Sequence, residues 1–429
     1  MKSVIQPVKG TRDYYPELMA VRMWLYETAG SVSESFGYQE YEAPLIESID
    51  LYAAKSGDEL VKEQSFVFED RGGKLITLRP ELTPSLARMV AQQQNELFYP
   101  LRWWSFGPFW RYERPQKGRT REFFQWNIDL IGPNSPVADA ELVAIVAAFF
   151  KKVGLSPQDA QILVNNRQLM ESELASQGIS ADNLKDIFRL IDRRDKLSPS
   201  KWEEYAEDLG LQAKQIDGLK DLLADQDLWQ KSESLQGFFP AVEALGVSEY
   251  VRFAPHIIRG LDYYTGTVFE AQAINGGLRR SILGGGRYDN LLSDVGGKTL
   301  PAVGFAMGDL VISLVLEELD LIPKETKSHP SQIMVSVFSE DTLTESLSLS
   351  EELRAAGLNV TCYPLANKLA KQLKYGDRIG IKAVILLGPD EIGNEEVTVK
   401  DLGTGDQKTI PRSHTVQLIT QLLENIDSS

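Results

Sequence analysis

Residues 103–112 and 123–131 are two aromatic-rich, strand-forming segments separated by only a short basic stretch. Strands this close in sequence leave no room for a crossover helix and must pair antiparallel. The first half of the chain is therefore built around an antiparallel sheet, with a charged loop at one end of a long hairpin. From Leu101 to Arg121 the basic residues are Arg102, Arg111, Arg114, Lys117, Arg119 and Arg121, opposed by Glu113 alone, a local charge of +5. The whole chain carries −16. Net charge governs solubility and non-specific contacts, so overall acidity does not exclude a nucleic-acid partner. A solvated face is one reading of such a charge run. The interleaved Trp103, Trp104, Phe106, Phe109, Trp110 and Tyr112 favour an anion pocket instead.

With 429 residues, 43% of them apolar and 25% charged, the chain has the makeup of a globular protein of two or three domains. Its longest apolar run, residues 142–150, is too short to span a bilayer. The first residues lack a secretory pattern. One cysteine, Cys362, cannot form an intrachain disulfide, and with three scattered histidines it gives no Cys/His metal set, so no metal ligands are assigned. The expectation is a soluble cytoplasmic protein with no membrane association.

A helix is expected from Pro16, with Leu18, Val21, Trp24, Leu25 and Thr28 at helical spacing. Strand-like sequence follows at 38–46, and 65–79 reads as a hairpin turning at Asp70-Arg71-Gly72-Gly73. From 167 to about 250 the sequence becomes charged and helical, an insertion. Strand signals return at 263–270 and 281–283, leading into Gly284-Gly285-Gly286, and a strand-to-helix passage runs from Ala302. After a linker at 323–330, strands (333–338, 359–363, 383–387) alternate with helices (343–356, 368–379), followed by a hairpin over 397–409 and a last helix over 416–426. This predicts a small α/β domain with a mostly parallel sheet. The divisions are 1–166, 167–250, 251–325 and 330–429.

No phosphate-binding P-loop is present, because Leu292 stands where the first glycine before Gly297-Lys298-Thr299 is required. On a strand, Arg111 and Glu113 share a face. A guanidinium there can take phosphate oxygens and the carboxylate an exocyclic amine. A cross-strand ion pair at a sheet surface is an equal reading of the spacing.

Arg111-Tyr112-Glu113, the basic loop and Phe123 together resemble motif 2 of class II aminoacyl-tRNA synthetases. Arg259-Gly260-Leu261-Asp262-Tyr263-Tyr264 followed by Val268-Phe269-Glu270 resembles the signature of the histidyl members. Lys9-Gly10-Thr11-Arg12-Asp13, Leu78-Arg79-Pro80-Glu81-Leu82-Thr83 and Gly285-Gly286-Arg287-Tyr288-Asp289 match in family order. Lys371-Gln372-Leu373-Lys374-Tyr375 and residues 397–402 resemble the family's anticodon-binding domain. The resemblance implies an α+β protein: a class II antiparallel-sheet catalytic domain with a helical insertion, plus a C-terminal α/β anticodon-binding domain. It implies activation of L-histidine with ATP and Mg2+, then transfer to tRNA(His). It also implies a homodimer, with Tyr41 to Pro44 resembling the interface motif; a core strand is the other reading of those residues.

By the same resemblance, Arg111 and Arg259 are catalytic cations at the α-phosphate and also border the histidine. Glu113 reads the adenine amine, Phe123 stacks on the ring, and Arg119 joins the ATP site. Glu81, Thr83 and Gln125 hold the α-amino group of histidine, while Asp129, Tyr263 and Tyr264 surround its imidazole. Lys368, Lys371, Lys374 and Arg378 recur at helical spacing and face tRNA. One departure stands out. Motif 3 commonly ends Gly-x-Glu-Arg, whereas this chain reads Gly308-Asp309-Leu310-Val311, with Val311 in the arginine's place. Arg287, Arg279 or Arg280 are the candidates to supply the missing charge. The rival reading is a non-catalytic paralogue, such as a regulatory subunit of ATP phosphoribosyltransferase. Those paralogues usually lack the C-terminal domain and an intact Arg-x-Glu loop, both of which this chain retains.

Overall fold

The computed structural model describes residues 4–53, 64–258, 264–275, 281–327 and 329–427. The chain divides into two compact units, Met1–Pro323 and Lys324–Ser429.

The first unit opens with the expected helix, Pro16–Ser35, which has proline in its first turn and buries Val21, Leu25, Thr28 and Ala29. Gly37, at φ 81°, turns the chain after it. Four strands follow: β1 (Gln39–Glu40), β2 (Ile46–Ser48), β3 (Phe66–Glu69) and β4 (Leu75–Leu78). The last three form an antiparallel sheet in the order β2-β4-β3. Asp70 Oδ1 closes the β3–β4 turn by accepting from the backbone of Gly72 and Lys74 at 2.8 and 2.9 Å.

The main sheet adds β5 (Leu101–Trp110), β6 (Glu122–Ile131), β7 (Ala160–Asn166), β8 (Val251–Phe253), β9 (Thr267–Ala273), β10 (Ser281–Arg287) and β11 (Ala302–Gly308) to β1. Its order is β1-β5-β6-β11-β10-β9-β7-β8, antiparallel except for the parallel pairs β1·β5 and β7·β8 at its two edges. Alternation along β6 sends Trp126, Ile128 and Leu130 to one face, into the main core. There Trp126 meets Phe305 and Phe149 at ring-centroid distances of 5.0 and 5.3 Å and donates to Ser33 Oγ at 3.1 Å. The other face of β6, with Gln125, Asn127 and Asp129, is polar and is left for the site. The apolar run at 142–150 lies inside the helix Pro136–Lys152, buried almost throughout. Five α-helices between Arg167 and Ala244 separate β7 from β8. No helix among the described residues is long and apolar enough to cross a membrane.

One expectation needs adjustment. Gly284-Gly285-Gly286 does not end a strand but forms the middle of β10. A Cβ on Gly285 would lie 2.5 Å from the Gly304 carbonyl and 2.6 Å from Phe269 and Phe305, so glycine is what lets the strands close up. The helix Pro136–Lys152 and strand β7 carry no amphipathic signature, because both are buried on nearly every side.

The second unit is a five-stranded sheet of β12 (Ile333–Val335), β13 (Val360–Cys362), β14 (Ala383–Leu386), β15 (Glu396–Asp401) and β16 (Gln407–Pro411), in the order β13-β12-β14-β15-β16. The first three are mutually parallel; β15 and β16 add on antiparallel. The helices Leu343–Ala355, Leu369–Ile379 and Thr415–Asp427 complete it. Gly380, at φ 83°, caps the middle one in the left-handed conformation.

Candidate active site

The polar face of β6 forms the floor of a cavity of about 470 Å3. Glu81, Thr83, Arg111, Arg119, Gln125, Asp129 and Tyr264 all line it, so seven residues singled out from sequence converge on one space. Glu81 and Thr83 arrive there because Arg79, fully buried, anchors the turn before them. Its Nε donates to the Pro108 carbonyl at 3.0 Å, its Nη1 to the Ala43 carbonyl at 2.9 Å, and it is ion-paired with Glu42.

Asp129, in the cavity wall, is only 5% exposed. The Tyr288 hydroxyl donates to its Oδ1 at 2.5 Å. Burial pushes the Asp129 carboxyl up to about 7, against the lowering effect of that hydrogen bond. Gly304 stands opposite Asp129 in the β6–β11 register, and any Cβ there would overlap Asp129 Oδ1. A carboxyl held this way can exchange a proton or hydrogen bond with an uncharged ring near neutral pH.

At the rim, the hairpin extends past the strand ends. The Arg111 N–H donates to the Arg121 carbonyl at 2.9 Å, and Gln116 and Arg119 exchange backbone bonds of 3.0 and 2.8 Å around Gly118. Arg111 Nε donates to the Pro80 carbonyl at 2.9 Å, and its guanidinium carbon lies 5.5 Å from the Phe123 ring centroid. Phe123 stacks on Phe109 with centroids 6.0 Å apart. Glu113 is ion-paired with Arg119 at 2.9 Å. Glu113 and Phe123 do not line the cavity; they stand on the hairpin beside Arg111. Glu113 thus pairs across the hairpin with an exposed arginine, the kind of ion pair that adds little stability.

Arg259 and Tyr263 lie outside the described residues, as do Arg279 and Arg280. Val311 is half-buried and packs against the main core, offering no charge. Arg287 does not replace it. Its five N–H groups all go to Asp139, Asp289 and the carbonyls of Pro133 and Ser135, in a buried cluster away from the cavity. An arginine with every donor satisfied is structural, and the idea that it serves the nucleotide is corrected.

Four lining residues with polar side chains carry no role from sequence: Asn127, Asp192, Glu270 and Tyr288. Asn127 sits between Gln125 and Asp129 in the same alternating row and was legible on that ground. Tyr288 and Glu270 fall inside resembling motifs. Asp192, at the end of the helix Leu184–Asp192, carried no signal at all. In the second unit, Lys368, Lys371, Lys374 and Arg378 are exposed, the last three on the helix Leu369–Ile379 and Lys368 just before it. Gln372 on the buried side of that helix clamps both the N–H and the carbonyl of Val337 at 2.9 and 2.7 Å.

Residues 10–309 match the protein family described as histidyl-tRNA synthetase. The chain belongs to the histidyl-tRNA synthetase family. Residues 332–422 match the anticodon binding domain family. The chain is 36% identical over 420 residues to a histidine–tRNA ligase of Haloarcula marismortui, covering 95% of each. It is 37% identical over 419 residues to that of Thermoplasma volcanium, covering 95% of this chain and 96% of the relative. The crystal structure of histidyl-tRNA synthetase from Nostoc sp. PCC 7120 superposes with a TM-score of 0.82 at 26% identity, covering 98% of this chain and all of that one. The fold is accordingly the α+β class II architecture, with a C-terminal anticodon-binding domain.

Proposed function

We infer that the chain is an ATP-dependent histidine–tRNA ligase, forming histidyl-adenylate and transferring histidine to tRNA(His) with release of diphosphate and AMP. The observation that carries this reading is the convergence of Glu81, Thr83, Gln125, Asp129 and Arg111 on one cavity. Near full-length likeness to histidine–tRNA ligases favours it over the non-catalytic paralogue. Glu81, Thr83 and Gln125 take the α-amino group. Asp129 and Tyr264, with Tyr263, enclose the imidazole; a rival side chain would leave buried polar groups unpaired.

Arg111, and Arg259 from the segment beyond the described residues, hold the α-phosphate while the histidine carboxylate attacks it and diphosphate leaves. Positioned guanidinium groups stabilise the charge that builds on the phosphate oxygens. Glu113 accepts from the adenine amine, Phe123 stacks on the ring, and Arg119, freed from Glu113, turns to phosphate. Glu270, which lines the cavity, would hold a Mg2+ ion bound with the triphosphate; the ion would neutralise phosphate charge and needs only one or two carboxylates from the protein.

In this reading, residues 1–166 and 251–325 form the catalytic domain around the insertion 167–250. Residues 330–429, through Lys368, Lys371, Lys374 and Arg378, hold the anticodon stem. A homodimer is supported by apolar side chains standing in solvent near the interface motif, with Ile46 48%, Leu75 49% and Phe98 92% exposed. Tyr41, whose ring is tilted against Trp103 with centroids 5.3 Å apart, and the buried Ala43 serve the fold within one chain. The single free Cys362 suits a cytoplasmic setting. Incubation with tRNA(His), ATP and labelled histidine is expected to yield charged tRNA with one AMP per charge. Folded protein that binds histidine but never charges tRNA would instead favour the regulatory paralogue.

A further inference from the structure

Val311 leaves the nucleotide side of the site without the arginine of the family pattern, and the residue two positions before it has an unusual set of partners. Asp309 is 4% exposed and begins the helix Asp309–Glu318. The β6–β11 ladder ends at the Gln125–Gly308 pair. Asp309 Oδ1 then accepts the Phe124 N–H at 3.0 Å, so a side chain supplies the next rung. Its Oδ2 accepts from the Tyr14 hydroxyl at 3.1 Å and from Arg12 Nη2 at 3.4 Å. The Arg22 guanidinium lies between two rings, 3.2 Å from the Tyr14 centroid and 3.9 Å from that of Phe124. A few residues away, the Gly10 carbonyl accepts the Arg121 N–H at 2.8 Å, and a Cβ on Gly10 would come within 2.7 Å of the Arg121 side chain. Residues 10–14 are thus fastened to the basic hairpin at one end and to Asp309 at the other.

Phe124 itself faces away from the cavity, but its neighbours Phe123 and Gln125 project toward the site. Fixing the Phe124 N–H carries the β11 side of β6 one rung closer to the start of the strand at Glu122, and with it holds the angle at which the 111–123 hairpin leaves the sheet. We propose that Asp309, together with Arg12 and Tyr14, is a positioning latch that holds this hairpin in its ATP-binding geometry in a chain without an arginine at 311. The proposal rests on assigning Arg111, Glu113 and Phe123 to the nucleotide. The latch does not touch substrate; it acts through the hairpin.

Histidine-dependent diphosphate exchange tests it, comparing wild type with Asp309→Asn, Tyr14→Phe and Glu113→Ala. Asp309→Asn keeps an oxygen for Phe124 but loses the charge facing Arg12, and Tyr14→Phe loses a single donor. The expected result is an ATP KM raised about tenfold in Asp309→Asn, the scale of one charge-assisted hydrogen bond, and a smaller rise in Tyr14→Phe. The histidine KM should stay near wild type in both. Should Asp309→Asn fail to fold, Tyr14→Phe alone decides. A raised ATP KM in Glu113→Ala with none in the latch variants overturns the latch and leaves the nucleotide assignment standing. No rise in any of the three overturns the assignment itself. ATP and histidine KM rising together with a lowered unfolding midpoint would make the cluster merely structural and also overturn the latch.

Discussion

Asp129 shows most sharply how one side chain couples stability to function. An ordinary aspartate ionises near 3.8, but burial holds this one protonated up to about 7. The folded protein therefore keeps a proton that the unfolded chain releases between those values. By linkage, stability contributed by this group falls as pH rises through that window, and the loss is complete above it, on the order of 4 kcal/mol. Asparagine at 129 has no charge to bury. Asp129→Asn is expected to melt above wild type at pH 8, with the difference shrinking as pH falls below about 7 and closing near 4, where the unfolded carboxyl is protonated as well. Thermal melts of the ligand-free protein across that range check it. A difference that does not vary with pH would contradict the buried proton. The fold thus tolerates a poorly solvated acid, a feature common at functional sites.

At the scale of elements, the β5–β6 hairpin was legible because its strands alternate and its loop is charged, and the strand from Ala302 was legible too, while the glycine end of β10 was not. Gly284 to Gly286 look like a terminator in isolation; only the close approach of Gly304, Phe269 and Phe305 shows them to be strand. The helix Pro136–Lys152 was missed for the opposite reason, being apolar on all sides rather than on one. Gly304 links the two halves of the argument, since it sits in β11 opposite Asp129. A methyl group there would meet both the Asp129 carboxyl and the Ile128 carbonyl, the latter at 2.8 Å. Gly304→Ala is expected to cost roughly 1–3 kcal/mol of stability. Displacing the carboxyl should also raise the histidine KM by on the order of a hundredfold, with a much smaller effect on the ATP KM. Melting and exchange kinetics on the same preparation check both. An unchanged histidine KM would show that Asp129 is not part of the histidine pocket.

For the whole molecule, the first unit holds the cavity and the second matches the anticodon binding domain family, so the proposed function assigns activation to the first and tRNA capture to the second. The candidate site was legible largely through motifs in family order, because its residues come from strands far apart in sequence. Spacing alone left Arg111–Glu113 ambiguous, because ion pairing and the proposed nucleotide contacts draw on the same kinds of group, and Glu113 pairs with Arg119. Arg287 was misjudged because its partners Asp139 and Asp289 include a residue 148 positions away. The division of labour can be measured. Lys368→Gln and Lys371→Gln should leave histidine-dependent exchange intact while weakening tRNA binding. Each is expected to reduce the slope of log affinity against log salt by about 0.7. An unaltered salt slope would remove these lysines from the tRNA interface. The central claim, that this cavity activates histidine, is tested most directly by ATP–diphosphate exchange run with each amino acid in turn. Exchange with histidine alone is the expected result and would show the ATP site working with valine at 311; folded protein that gives no exchange with any amino acid, or exchanges equally with several, would contradict it.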